Sequence, residues 1–238
     1  MKTQTSRIAL LSLSVMAATL WSQDQGAGGK QALQQRLAEL KQQMAANRAA
    51  LKKYQWVETT QVSIKGETKK VEQKACHYGP DGQVVKAAIG TPEAPKEPPG
   101  GLRGRVVKKK VAEMKDYMSR LQALIGHYVP PEAERLQTSF QAGKANLNRS
   151  SSGLASLSFG DYYKPGDKIA LGFDTTAKTL RSFDVNSYLD GPEDTVTLAS
   201  QFSSLPDGTN FVQRTVLTSK SKETTITTTN SDYTPASQ

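Results

Sequence analysis

Cys76 and His77 place a thiol and an imidazole side by side, the pairing from which a cysteine nucleophile and its general base are made. They fall in a stretch that reads as a strand, where successive side chains point to opposite faces, so the two do not meet there. His127 is the only other histidine. A packed, unreactive thiol is therefore the expected role of Cys76, and as the single cysteine it closes no intramolecular disulfide. The acids Asp190, Glu193 and Asp194 could hold a calcium ion, but they flank Gly191-Pro192, a turn where solvated acids are ordinary. Asp161-Tyr162-Tyr163 could offer two rings to a sugar or lipid, or simply edge a core. The chain has no His-Glu-x-x-His, no Gly-x-Ser-x-Gly, no phosphate loop and no Cys/His set with metal-ligand spacing. Asn148-Arg149-Ser150 is a formal glycosylation sequon. The expectation is a protein with no catalytic residue, no metal and no cofactor, not an enzyme. An envelope hydrolase is the least favoured alternative, because nothing local gathers two titratable groups.

Residues suited to binding are easier to find. Met114, Met118, Leu121 and Ile125 share one helical face, and methionine makes a pliable apolar lining, though a core needs the same residues. Trp56 joins them as an expected ligand contact. Arg103, Arg105, Lys108, Lys109 and Lys110 crowd the start of the same helix, where cations oppose the helix dipole. They are read either as a solvated face or as a contact with an anionic surface.

These side chains must be held by a particular order of elements. An amphipathic helix is expected over 30–53, with Leu33, Leu37, Leu40, Met44 and Leu51 on one stripe. A three-strand meander follows. Its first strand puts Tyr54, Trp56, Thr60, Val62 and Ile64 on one face, interrupted by Glu58; the others run over 69–77 and 83–89, with turns at Gly66 and at Gly79-Pro80-Asp81-Gly82. The Pro- and Gly-rich stretch 90–104 reads as a loop with the character of a flap, 106–128 as a second helix ended by Pro130-Pro131, and 132–142 as a short third. Beyond Ser150 six strands are expected, over 154–159, 168–173, 179–189, 195–202, 210–218 and 224–229. The fold class predicted is α+β: a strongly curved antiparallel sheet, an incomplete barrel, covered by two or three helices.

Lys2 and Arg7 precede an uncharged run from Ile8 to Trp21 and a polar Ser22-Gln23-Asp24-Gln25, the pattern of an export signal. The expected division is a signal peptide over 1–22 and a single exported α+β domain over 23–238, periplasmic or extracellular. The chain has 31 Lys+Arg against 22 Asp+Glu; without Lys2 and Arg7 the balance is 29 against 22, a net +7. That suits an anionic envelope surface, and export argues against nucleic acid as a partner.

The order of signal, amphipathic helix, meander, proline-rich loop, helix and long meander, with Leu171-Gly172-Phe173-Asp174 followed by Leu180-Arg181, resembles the lipoprotein-carrier (LolA/LolB-like) and RseB-like group of periplasmic folds. The resemblance implies helices inside or across the mouth of an incomplete barrel and an acyl chain or apolar peptide as ligand. It carries no binding residue across by motif. Tyr54-Gln55-Trp56, Tyr78-Gly79-Pro80-Asp81-Gly82, Tyr128-Val129-Pro130-Pro131 and Leu205-Pro206-Asp207-Gly208-Thr209 are also similar to exported bacterial proteins, which implies no activity. The function expected is an exported carrier or sensor of a lipid-like or apolar ligand, the alternative being a module that docks on anionic surfaces.

Overall fold

The structure is a computed structural model that describes residues 45–90, 101–150, 153–177 and 179–236, the side chains of 101–103 excepted. The segment 1–22 expected to be a signal, most of the first expected helix, the 91–100 part of the proline-rich loop and the Arg103 side chain lie outside the described residues. A helix over 45–51, α1, leads into β1 (Tyr54–Ile64), β2 (Glu67–Tyr78) and β3 (Val84–Ala88). Then come α2 (Gly101–Gly126), α3 (Ala133–Gln141), β4 (Ala145–Arg149), β5 (Leu154–Gly160), β6 (Lys168–Asp174), β7 (Thr179–Tyr188), β8 (Thr195–Ser204), β9 (Asn210–Ser219) and β10 (Thr224–Pro235).

All ten strands form one antiparallel sheet, not closed into a barrel, in the order β3-β2-β1-β10-β9-β8-β7-β6-β5-β4. Two successive meanders therefore join along β1 and β10, where Val62 pairs with Ile226 and Thr60 with Thr228. This junction makes the N-terminal strands a wing of the main sheet. Val62 and Thr228 belong to strands at opposite ends of the sequence, so local alternation carried no trace of it.

Three features differ most from expectation, beyond shifts of one or two residues at strand ends. Helix α2 begins at Gly101, so the loop does not reach Gly104; glycine weakens a helix by about 1 kcal/mol but does not forbid one. Strand β4 was not anticipated, because its Asn146 and Asn148 are poor strand formers, although Ala145 and Leu147 do alternate with them and pair with Phe159 and Leu157. Strand β10 runs to Pro235 rather than stopping near Thr229.

Helix α2 lies across the concave face. Its Tyr117, Leu121, Leu124 and Ile125, with Tyr128 just beyond, are buried against Leu157, Phe159, Ile169, Leu171, Phe183, Val185, Val196 and Leu198. Two buried tyrosines pin it. The Tyr117 hydroxyl meets Ser219 Oγ, Ser221 Oγ (3.0 Å) and Asp194 Oδ1 (3.2 Å); the Tyr128 hydroxyl donates to Asp167 Oδ2 (2.5 Å) and meets Ser187 Oγ (2.7 Å). From Tyr117 to Tyr128 a helix rises about 16 Å, close to the roughly 14 Å that separates β9 from β6, so α2 crosses the strands nearly at right angles. All the pinning partners sit at one end of their strands, the start of β6 and β8 and the end of β7 and β9, so the crossing follows that rim.

Candidate functional site

Strand register aligns the concave face into rungs, and two of them define the candidate site. One runs Phe159, Ile169, Val185, Leu198, Leu217, Ile226, Val62 and Lys70 from β5 to β2. The first four are buried beneath α2, whereas Leu217, Ile226 and Val62 are only half-buried and Lys70 is exposed. The neighbouring rung runs Leu157, Leu171, Phe183, Ser200, Thr215, Thr228, Thr60 and Glu72, turning from apolar to hydroxyl-bearing at β8. Ser200 Oγ and Thr215 Oγ1 are hydrogen-bonded at 3.1 Å. The core thus continues past the helix as an apolar shelf, edged by a row of threonines.

Met114 and Met118 mark the helix side of that transition. Both are half-buried and pack, like Leu217, against the edge of the core, while Leu121 (1% exposed) and Ile125 (8%) belong to its interior. The four residues expected to line a ligand site thus share a helix face, but the deeper two are committed to holding α2 on the sheet. Their spacing could not separate lip from core, since both need the same side chains.

Trp56 is placed apart from them. Its ring stacks on Tyr233 (centroids 5.6 Å, planes 10° apart) and leans on Tyr78 (5.5 Å), while its Nε1 donates to Asn230 Oδ1 (3.1 Å). Tyr233 also meets Phe211 (4.4 Å) and Tyr54, whose hydroxyl donates to Asp207 Oδ2 (2.8 Å). Burial pushes the Tyr78 and Tyr233 phenols above their ordinary range, so both are neutral hydroxyls. This aromatic cluster seals the far end of the wing beneath α1, whose Asn47 side chain accepts from the Asn210 backbone N–H (2.8 Å) and donates to its carbonyl (3.0 Å).

Glu58, the residue that interrupts the β1 face, is explained by β3. Its carboxylate pairs with Lys86 Nζ at 2.6 Å, and Glu72 pairs with Lys70 (2.5 Å) and Lys74 (3.6 Å), so the wing ends in a mixed-charge border. Cys76 lies between these groups in register, opposite both Trp56 and Lys86, and is 1% exposed. Burial, reinforced by the nearby Glu58 charge, pushes its thiol up to about 11, the opposite of an activated nucleophile. His77 is exposed, and His127 stacks on Tyr163 at 4.0 Å. Among the turn acids, Asp190 pairs with Arg120 (2.6 Å) and Asp194 accepts from Tyr117, so two of the three have structural partners.

Other expected contacts separate in space. Tyr162 is buried and its hydroxyl accepts from the Glu132 backbone N–H (2.6 Å), so it edges the core. Arg105, Lys108, Lys109 and Lys110 are all exposed on α2. A depression of about 370 Å³ opens over β4–β7 where Gly172 lacks a side chain, bordered by Asn148, Arg149, Leu154 and Arg181; Arg181 is paired with Asp174 at 3.0 Å. Among the described residues no helix is long and apolar enough to cross a membrane. No protein-family model matches the chain, and neither the curated proteins nor the solved structures compared with it contain a match.

Proposed function

We propose that this protein is an exported carrier or sensor that lays an acyl-type apolar ligand along the shelf of Leu217, Ile226 and Val62, against Met114 and Met118. The observation that supports this is the incomplete cover of a continuous apolar rung: β5–β8 bury it beneath α2, and β9, β10 and β1 carry it on only partly buried. These three aliphatic side chains are only partly buried, which forgoes a fraction of the about 1.5–3 kcal/mol that complete burial of each is worth. A ligand chain would recover part of it. The adjacent Thr60, Thr215 and Thr228 hydroxyls and the Lys70 ammonium suit the polar head of such a molecule, which sets its orientation while the apolar rung supplies affinity. The two tyrosine pins hold α2 in place, so the ligand seat is the open shelf beside the helix rather than the packed space beneath it.

Native mass spectrometry of protein isolated from its own envelope tests the reading, with Ile226→Asp as the control. The expected result is a co-purifying lipid or apolar peptide on the wild type that is lost in the variant. Wild-type protein that is consistently empty, and that binds a fluorescent fatty acid no better than Ile226→Asp does, would overturn it.

A further inference from the structure

We propose that the first turns of α2, with Arg105, Lys108, Lys109 and Lys110 around Val106, Val107 and Val111, are a docking element for an anionic lipid bilayer. The inference stands beside the shelf reading and does not depend on it. Helix α2 runs unbroken from Gly101 to Gly126, and Gly104 is buried, yet every residue from Arg105 to Glu113 is exposed and burial resumes only at Met114. Three of the exposed residues are valines, at 55%, 39% and 48% exposure for Val106, Val107 and Val111. Val107 and Val111 continue the Met114–Met118–Leu121–Ile125 stripe at spacings of four and three, so over residues 105–113 the helix turns the continuation of its core face to solvent. Valine is also a poor helix former, so these positions gain nothing locally from the choice.

The charge pattern decides the partner. Four cations fall within six positions near the helix start, where each opposes the dipole. Their one acidic neighbour in these turns is Glu113, 4.0 Å from Lys109 with both side chains in solvent, so the patch stays strongly positive. At 100° per residue the valines occupy one side, Arg105, Lys108 and Lys109 the other, and Lys110 falls among the valines. A flat layer of anionic head groups over hydrocarbon suits this arrangement. The valines enter the interface, Lys110 reaches up along its own stem, and the other cations lie against the phosphates. An acidic protein partner would satisfy the cations but leave the valines without an apolar counterpart.

Co-sedimentation of the purified full chain with vesicles tests the proposal. Binding is expected to phosphatidylglycerol mixed into phosphatidylcholine and not to phosphatidylcholine alone, and it should fall as added salt shortens the screening length. The triple variant K108E/K109E/K110E should lower the partition coefficient by roughly a hundredfold, from several-fold per lysine near such a surface. All three side chains are exposed, and an unchanged thermal unfolding profile would show that the fold is intact. Ile226→Asp should bind the vesicles like wild type, which separates this proposal from the shelf. A triple variant that sediments like wild type, or a wild type that pellets equally with neutral vesicles, would overturn it.

Discussion

The hydroxyl of Tyr128 illustrates how single polar atoms secure an otherwise apolar helix contact. Asp167 is buried and accepts backbone N–H bonds from Tyr162 (2.6 Å), Tyr163 (3.0 Å) and Lys164 (2.9 Å) in addition to the phenol. The carboxylate therefore ties the β5–β6 turn to α2. Tyr128→Phe should leave Asp167 with its backbone donors but deprive Ser187 and the carboxylate of the phenol, costing about 1–3 kcal/mol in urea unfolding with the slope unchanged. A variant as stable as wild type would show that the pin adds nothing beyond ring packing. Cys76 gives a second test at this scale. Its folded pKa of about 11 lies above the ordinary thiol value of 9.0, so the unfolded chain loses the proton first as pH rises. Stability from this thiol is complete below pH 9 and is lost between about pH 9 and 11. Cys76→Ala should flatten the fall in stability across that window, and native Cys76 should resist thiol reagents at pH 8 until the protein unfolds. A parallel pH profile in the variant would count against it.

Among the elements, the rung from β5 to β1 makes burial a function of strand position. Leu198 (5% exposed) and Ile226 are two strands apart on the same rung, one under α2 and one beside it. Leu198→Ala should cost about 2–5 kcal/mol, as for a core cavity, and Ile226→Ala clearly less, because its neighbours already face water. Equal losses would mean that the shelf is covered in solution. Helix α2 is divided in the same way: residues 105–113 are exposed, and those from Tyr117 onward are pinned and packed. Amide hydrogen exchange should therefore be fast over 105–113 and slow over 117–125, despite one unbroken helix.

Across the whole molecule, the main sheet and the wing differ in what lies over them. Strands β5–β8 have a helix packed on one face, while β2 and β3 carry charges on the same face, Lys70, Glu72, Lys74 and Lys86, and end in an open edge. The wing is joined to the rest of the sheet by the β1–β10 ladder, and the Trp56 cluster beneath α1 supplies its local core. Sub-global opening should start there. Exchange in mild denaturant should release the β2–β3 amides at lower free energy than those of β6–β8, and a single shared opening energy would contradict this division.

Alternation by itself determined most of the strands, because period-two patterning such as Ile169, Leu171 and Phe173 is local. It also determined the α2 stripe, the Gly- and Pro-marked turns and the α+β class with an open, curved antiparallel sheet. Glu58 looked like a flaw in the β1 face until β3 supplied Lys86, and Ile226 was hidden in the threonine-rich Thr224–Thr229 stretch. The β1–β10 pairing, the rung that links Val62 to Val185 and the separation of Trp56 from Met114 and Met118 rest on contacts between residues far apart in the chain. Only the tertiary structure decided these, because which side chains share a rung depends on strand register, and no single strand carries the register of its distant partner.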